Sequence, residues 1–397
     1  MVTRRAASLI GVLAALALAC TSPGATAVPT PVPTPAPATP IATAAPTPEP
    51  ATPEPTAEVT SEPTAEVTAE PTAEVTAEPT TAAATCEGEH INFMLSFLAN
   101  IQHAGFLVAS EKGYYADEGL DVEIVPAGPG IDVSQAVADG TADLGQIDYV
   151  PLVEARAAGV PVKAVGQIYK DPFFFWYSSK DGGPATVEEW DGKTVGAIQV
   201  GAYPERDAML IGAGLEPDSI TIVPQDFDAL LDPTVMDVAE GVVFFHPALI
   251  NIVGMPPFPD SYNVFKPAEL GADFASQTVA GNETYLGEHP DAVACFLRAS
   301  IRGWQDAFTD AQGAVDATMT FVPEGSPITP DHQLAALPDV LAITGTGADD
   351  ATLLQPDAES YQATIDQLIS LGQLDADPGV DTTFDSSFWD AAVAGMQ

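Results

Sequence analysis

Asn100-Ile101-Gln102-His103-Ala104-Gly105-Phe106, then Glu111-Lys112-Gly113-Tyr114-Tyr115 and Asp117-Glu118-Gly119-Leu120-Asp121-Val122-Glu123, is the stretch that decides the fold. It reads as a loop, a short amphipathic helix, a glycine turn and a strand. Working outward, residues 91–97 form a β-rich run before the loop, and 104–112 form the helix. Strands at 120–126, 142–147 and 160–168 then alternate with helices at 131–139 and 149–158. That alternation predicts an α/β fold with largely parallel sheets.

A second set follows Lys180-Asp181-Gly182-Gly183-Pro184. Its strands are expected at 193–199, 220–223 and 241–245, and its helices at 186–190 and 203–213. From about Ala272 helices dominate, at 290–309, 311–321, 329–342, 356–371 and 386–394. Pro290 and Pro356 suit first helical turns, and Asp310 suits an N-cap. The order predicts lobe one at 86–176 and 272–397 and lobe two at 177–271. Two crossovers, near 173–180 and 267–276, would form a hinge. The 312 residues from Cys86 onward exceed one comfortable core, which also favours two lobes.

Residues 1–20 carry Arg4 and Arg5, an apolar run from Leu9 to Ala19, and Cys20. This is the layout of a secretory signal, too short to span a bilayer as a helix. Leu16-Ala17-Leu18-Ala19-Cys20 resembles a bacterial lipoprotein box, with Cys20 the residue that would be acylated and anchor the chain to the cell membrane. Residues 21–85 are Pro, Thr, Ala and Glu, with an eight-residue period at 56–63, 64–71 and 72–79. Such a segment buries no core and is expected to be an extended, disordered spacer.

The remainder carries 10 Lys+Arg against 48 Asp+Glu. Nucleic acid and anionic membrane are therefore poor partners, and none of the former is expected. Outside the cell a disulfide between Cys86 and Cys295 is allowed, and the pairing stays open at this point. The five His residues, at 90, 103, 246, 289 and 332, show no metal-ligand spacing, so neither metal nor cofactor is expected.

Phe97-Leu98-Ala99-Asn100-Ile101-Gln102-His103-Ala104-Gly105 resembles the W-x-P-N-x-x-H-x-G turn of ABC-transporter solute-binding proteins of the thiamine-pyrimidine-synthase-like and sulfonate/taurine/nitrate-binding superfamily. Phe97 stands at the Trp position and Ala99 at the Pro position. The runs EKGYYADEGLDVEIVP, VADGTADLGQIDYVPLVEARAAGVPVKAVGQI, WDGKTVGAI and EHPDAVACFLRASIRGWQDAFTDAQGAVD are similar to further family segments, in order. The resemblance implies a type II periplasmic-binding-protein-like fold, a small-molecule ligand, an ABC permease as partner and a monomer. It also implies the absence of catalysis here. The enzyme of the superfamily uses a Lys and a His after the strand equivalent to 142–147, whereas Gln146-Ile147-Asp148-Tyr149-Val150-Pro151-Leu152 holds neither.

Ligands of open α/β sheets sit at the carboxyl ends of strands. Flat heteroaromatic ligands need ring faces and a few fixed polar groups. Both occur at expected loop positions: Phe97, Asn100 and His103, Asp148 and Tyr149, Gln199, Gly201 and Tyr203, and Phe245 at strand ends, and Phe174 and Trp176 in the run that crosses between the lobes. Phe97, Phe174, Trp176 and Tyr203 are expected to stack on a ring, with Asn100 and Asp148 bonding amino and ring nitrogens. The N-x-x-H-A-G turn resembles the branch binding thiamine pyrimidine precursors. Sulfonate, taurine, nitrate and riboflavin are the alternative ligands that the superfamily implies.

Overall fold

The computed structural model describes residues 86–128, 130–198 and 203–396. The signal, Cys20 and the spacer lie outside these residues, as do Gln199 and Gly201. Ten strands are formed: β1 (Glu89–Met94), β2 (Leu120–Val125), β3 (Leu144–Asp148), β4 (Val162–Gln167), β5 (Phe174–Ser179), β6 (Thr194–Ala197), β7 (Thr221–Pro224), β8 (Ala239–Val242), β9 (Tyr262–Phe265) and β10 (Gln277–Asn282). They make three sheets, ordered β2-β1-β3-β10-β4, β8-β5-β9 and β6-β7.

In the five-stranded sheet β1 runs parallel to β2 and β3, as the alternation predicts. The sequence reading missed β10, which inserts antiparallel between β3 and β4. The chain thus leaves this sheet after Gln167 and returns to its interior, between β3 and β4, at Gln277. The segment between them builds the antiparallel sheet β8-β5-β9 and the parallel pair β6-β7. The largely parallel expectation therefore holds for β1–β3 and β6–β7 and fails elsewhere.

The helices follow their signals closely. Pro290–Thr309 begins with proline in its first turn, and Asp310 caps Ala311–Thr320 by accepting from the Gly313 N–H. Pro356 is a correction: Asp357 caps the next helix, Ala358–Ser370, accepting from the N–H groups of Glu359 and Ser360. The expected helix at 186–190 is a 3-10 turn, Val187–Trp190, without a side-chain cap.

Helix Ala104–Glu111 is not amphipathic as expected, because Ala104 to Ala109 are all buried. It is pressed between the β1 side of the core and helix Pro290–Thr309, whose Phe296 and Trp304 touch Phe106. The two helices approach so closely that a Cβ on Gly105 would lie 2.3 Å from the Trp304 ring, and one on Gly303 would lie 2.0 Å from the Gly105 carbonyl. Gly105 ends the diagnostic turn because nothing larger fits against Trp304.

Cys86 and Cys295 are joined in a disulfide, with their Cα atoms 6.6 Å apart, which settles the pairing left open above. The bond fastens the segment before β1 to the second turn of the 20-residue helix Pro290–Thr309.

Two stability outcomes follow from this packing. Gly105→Ala overpacks the helix pair and should cost on the order of 1–3 kcal/mol by urea denaturation. Cys86→Ala with Cys295→Ala should cost about 2–5 kcal/mol. Unchanged denaturation midpoints would contradict both.

Candidate functional site

The first turn is held from within. The Asn100 side chain accepts from the Gln102 N–H and donates to the Leu98 carbonyl, closing an Asx turn. His103 is fully buried. Its Nδ1 lies 2.6 Å from Gln146 Oε1, and its Nε2 lies 2.9 Å from the Gln102 amide nitrogen. Gln146 bonds Gln277, which reaches the Ser96 hydroxyl at 3.2 Å. Burial pushes His103 down to about 3, so it stays neutral. His103 and Asn100 therefore shape the turn rather than offer free polar atoms to a cleft.

Asp148 ends β3 and occupies the N-cap position of helix Tyr149–Ala157, yet its side chain makes no cap hydrogen bond. Its Oδ1 is buried without a partner among the described residues. Burial, opposed by a contact from Gln277, pushes its carboxyl up to about 6. Tyr149 is a correction. Its ring stacks on Tyr361 at 4.0 Å and its hydroxyl bonds Thr383 at 2.7 Å, which removes it from any cleft wall.

Across from Asp148 stands the antiparallel pair β5–β8. Phe174 opposes Val242 and Trp176 opposes Glu240, so Phe174, Trp176 and Glu240 share one face. Tyr203 packs edge-on against Phe174 at 5.2 Å and against Trp176 at 5.9 Å. Asp148 Oδ1 and Trp176 Nε1 are buried without partners among the described residues, while the Tyr203 hydroxyl and the Glu240 carboxyl are hydrogen-bonding neighbours of each other. Each orphan costs about 1–3 kcal/mol while unpaired. Glu240 is completely buried, and its other oxygen accepts from the Ile198 N–H at 2.8 Å. Burial pushes the Glu240 carboxyl up to about 7, and it pushes Glu205, in the first turn of helix Pro204–Gly212, up to about 7 as well.

A second aromatic group surrounds Phe245, whose ring lies 4.7 Å from Phe227 and 4.9 Å from His332. Phe97 reaches the same group through Phe227 at 6.1 Å. The structure thus gathers Asp148, Phe174, Trp176 and Tyr203 in one place and Phe97 and Phe245 in another.

Sequence reasoning missed Glu205, Glu240, Gln277 and Phe227. Glu240 left a signal, a lone carboxylate in the small apolar strand Ala239-Glu240-Gly241-Val242. Gln277 left none without β10.

Cations are scarce near this site. Arg206 donates to Asp207 at 2.8 Å, while Arg156, Arg298 and Arg302 pair with Glu283, Glu118 and Asp117. Of three surface cavities, two lie elsewhere and one shares Phe174 with this group. One of about 520 Å³ is lined by Lys170, Asp350 and Asp357, and one of about 480 Å³ by Val187, Met209 and Phe265. The third, about 600 Å³, lies behind β5, where Phe174 and Phe175 meet Phe258, Lys266 and Asp339.

The fold is that of two-lobed periplasmic binding proteins. The periplasmic aliphatic sulphonate binding protein SsuA of Escherichia coli matches with a TM-score of 0.55 at 15% identity, over 75% of this chain and 92% of that one. Residues 100–314 match the family described as NMT1/THI5 like, and the chain belongs to that family. Three relatives show its range. The riboflavin-binding protein RibY of Chloroflexus aurantiacus is 27% identical, over 59% of this chain and 67% of that protein. The 4-amino-5-hydroxymethyl-2-methylpyrimidine phosphate synthase of Candida albicans is 27% identical, over 53% of this chain and 65% of that enzyme. The formylaminopyrimidine-binding protein of Halalkalibacterium halodurans is 28% identical, over 58% of this chain and 70% of that protein.

The buried Glu240 has a measurable consequence. A carboxyl raised in the folded state favours folding while protonated, and that contribution is lost as pH climbs from about 4.5 through about 7. Glu240→Gln in the ligand-free protein should therefore gain on the order of 2–3 kcal/mol over wild type at about pH 8, with the gap closing near pH 4.5. A gap that is absent at high pH would contradict the burial of this carboxylate.

Proposed function

We propose that this chain is the extracytoplasmic, lipid-anchored solute-binding component of an ABC importer. It closes two lobes, lobe one at 86–176 and 272–397 and lobe two at 177–271, on a thiamine pyrimidine precursor of the hydroxymethylpyrimidine or formylaminopyrimidine type. One observation carries the reading. A carboxylate oxygen, Asp148 Oδ1, and an indole N–H, Trp176 Nε1, are buried without partners among the described residues, and Tyr203, whose ring packs against Trp176 and whose hydroxyl meets the Glu240 carboxyl, lies within the electrostatic reach of Asp148. An aminopyrimidine supplies the matching parts: N–H donors for the carboxylates, a ring-nitrogen acceptor for Trp176 Nε1 and a flat face for the aromatic side chains. The name of the Halalkalibacterium relative accords with this ligand class.

A sulfonate or nitrate offers acceptors alone and would face carboxylates without a free guanidinium, since Arg206 is taken by Asp207. The synthase reading lacks its amine: residues 146–152 contain no Lys, so no Schiff base can form there. Trp176 and Tyr203 then serve as walls, Asp148 and Glu240 as acceptors, and His103 as the group that fixes Gln146 and Gln277 beneath them.

Calorimetric titration of the full chain tests this. 4-Amino-5-hydroxymethyl-2-methylpyrimidine or its formylamino relative should bind in the micromolar range or tighter, about −8 kcal/mol. Asp148→Asn should weaken it by tenfold or more, about 1.4 kcal/mol. Taurine, nitrate and alkanesulfonates should give no heat. Tight binding of an anion, or of riboflavin in preference to any aminopyrimidine, would overturn the ligand assignment. Turnover of pyridoxal phosphate would overturn the receptor assignment.

A further inference from the structure

Strand alternation turns Phe175 to the face of β5 opposite Trp176. There its ring lies 5.5 Å from Phe258, and both residues line the cavity of about 600 Å³. That volume falls within the roughly 300–1,000 Å³ of small-molecule sites. The walls are apolar and come from separate elements: Phe175 from β5, Ile252 from helix His246–Ile252, Phe258 from the loop before β9 and Ile343 from helix Pro330–Thr344. The Phe258 wall is held in place. The Asn251 side chain accepts from the Phe258 N–H at 2.9 Å and donates to the Phe258 carbonyl at 3.4 Å. The Phe258 ring also packs 5.8 Å from Tyr262.

The charged part of the lining is mostly acidic. Asp171, Glu269 and Asp339 stand against one cation, Lys266, and that ammonium bonds Glu269 at 3.0 Å. Asp171 and Asp339 make no ion pair and no side-chain hydrogen bond among the described residues. Apolar walls with two spare carboxylates match an amphipathic cation. Its ring fills the apolar space, while its ammonium meets a carboxylate and the face of an aromatic wall. The charge of the chain beyond the spacer, 10 Lys+Arg against 48 Asp+Glu, acts in the same direction by drawing cations and repelling anions.

We propose that this cavity is a second small-molecule site, separate from that of the pyrimidine, and that it takes an apolar ring carrying an ammonium group. The inference stands whether or not the chain binds a pyrimidine, because none of Asp148, Trp176, Tyr203 and Glu240 lines the cavity.

Calorimetric titration of the full chain with three probes of one shape tests it: 2-phenylethylamine, 2-phenylethanol and phenylacetate, which at about pH 7.5 are a cation, a neutral molecule and an anion. The amine should bind about fivefold more tightly than the alcohol, and phenylacetate should give no heat. Asp339→Asn should remove most of that preference and leave the alcohol unchanged. Asp171→Asn gives the same reading should Asp339→Asn fail to fold. Ala335→Trp, at an exposed position of the lining, fills the cavity and should abolish binding of amine and alcohol alike. Ala342→Trp, also exposed on the lining, serves in its place should that variant not fold. Binding of none of the probes, or equal affinity for amine and alcohol, would overturn the proposal. So would an Asp339→Asn that weakens both alike, as a merely structural Asp339 would. Amine binding that survives the tryptophan variants would overturn it too, since the amine would then sit on the acidic surface at large.

Discussion

The antiparallel entry of β10 between β3 and β4 is the constraint on which the site depends. The register pairs Gln277 with Asp148 and Thr278 with Ile147. It brings the Gln277 amide to Gln146, and through Gln146 to His103 and the first turn. A slip by one residue would turn Gln277 to the opposite face and leave the buried amides of Gln102 and Gln146 without their chain of partners. The same strand returns the chain from the smaller sheets, so the pairing that fixes the polar network also fixes where the two crossings lie. Core packing and site geometry are in this way set by one ladder.

Around that scaffold most buried polar atoms are satisfied, as expected of a folded interior. The exceptions among the described residues are scattered, at Trp190, Trp304 and Tyr361 for example, and Asp148 Oδ1 and Trp176 Nε1 are among them. Trp176 and Glu240 stand opposite each other on the β5–β8 face, and Tyr203 closes the corner. A protein that keeps a carboxylate oxygen such as Asp148 Oδ1 and an indole N–H such as Trp176 Nε1 buried and unpaired gives up stability at each. Local departures of this kind are expected at functional sites, where a ligand completes the pairing.

Much of the fold was legible in the sequence because its signals are local. Pro290 and Asp310 mark helix ends through cap chemistry that needs no distant partner. Gly105 marks a close helix approach, although only the structure shows that Trp304 fills the space. β10 was illegible because Gln277-Thr278-Val279-Ala280-Gly281-Asn282 carries no alternation, being buried along nearly its whole length in the centre of a sheet. The site was half legible for the same reason. Asp148 ends a strand that the pattern picks out, whereas Trp176 lies inside β5 and Tyr203 just before helix Pro204–Gly212. His103 and Tyr149 stand at the same kind of position, yet burial commits them to Gln146 and to Tyr361. Glu240 acts from the middle of a short strand, and only its cross-strand partner Trp176 shows which way it faces.

The most direct measurement is a crystal structure of the chain with 4-amino-5-hydroxymethyl-2-methylpyrimidine bound. The account predicts a ring lying against Trp176 and Tyr203, with N–H groups about 2.7–3.2 Å from Asp148 Oδ1 and Glu240 Oε1. A ring seated instead in the cavity behind Phe175 and Phe258, or a bound pyrimidine that bonds neither oxygen, would contradict it.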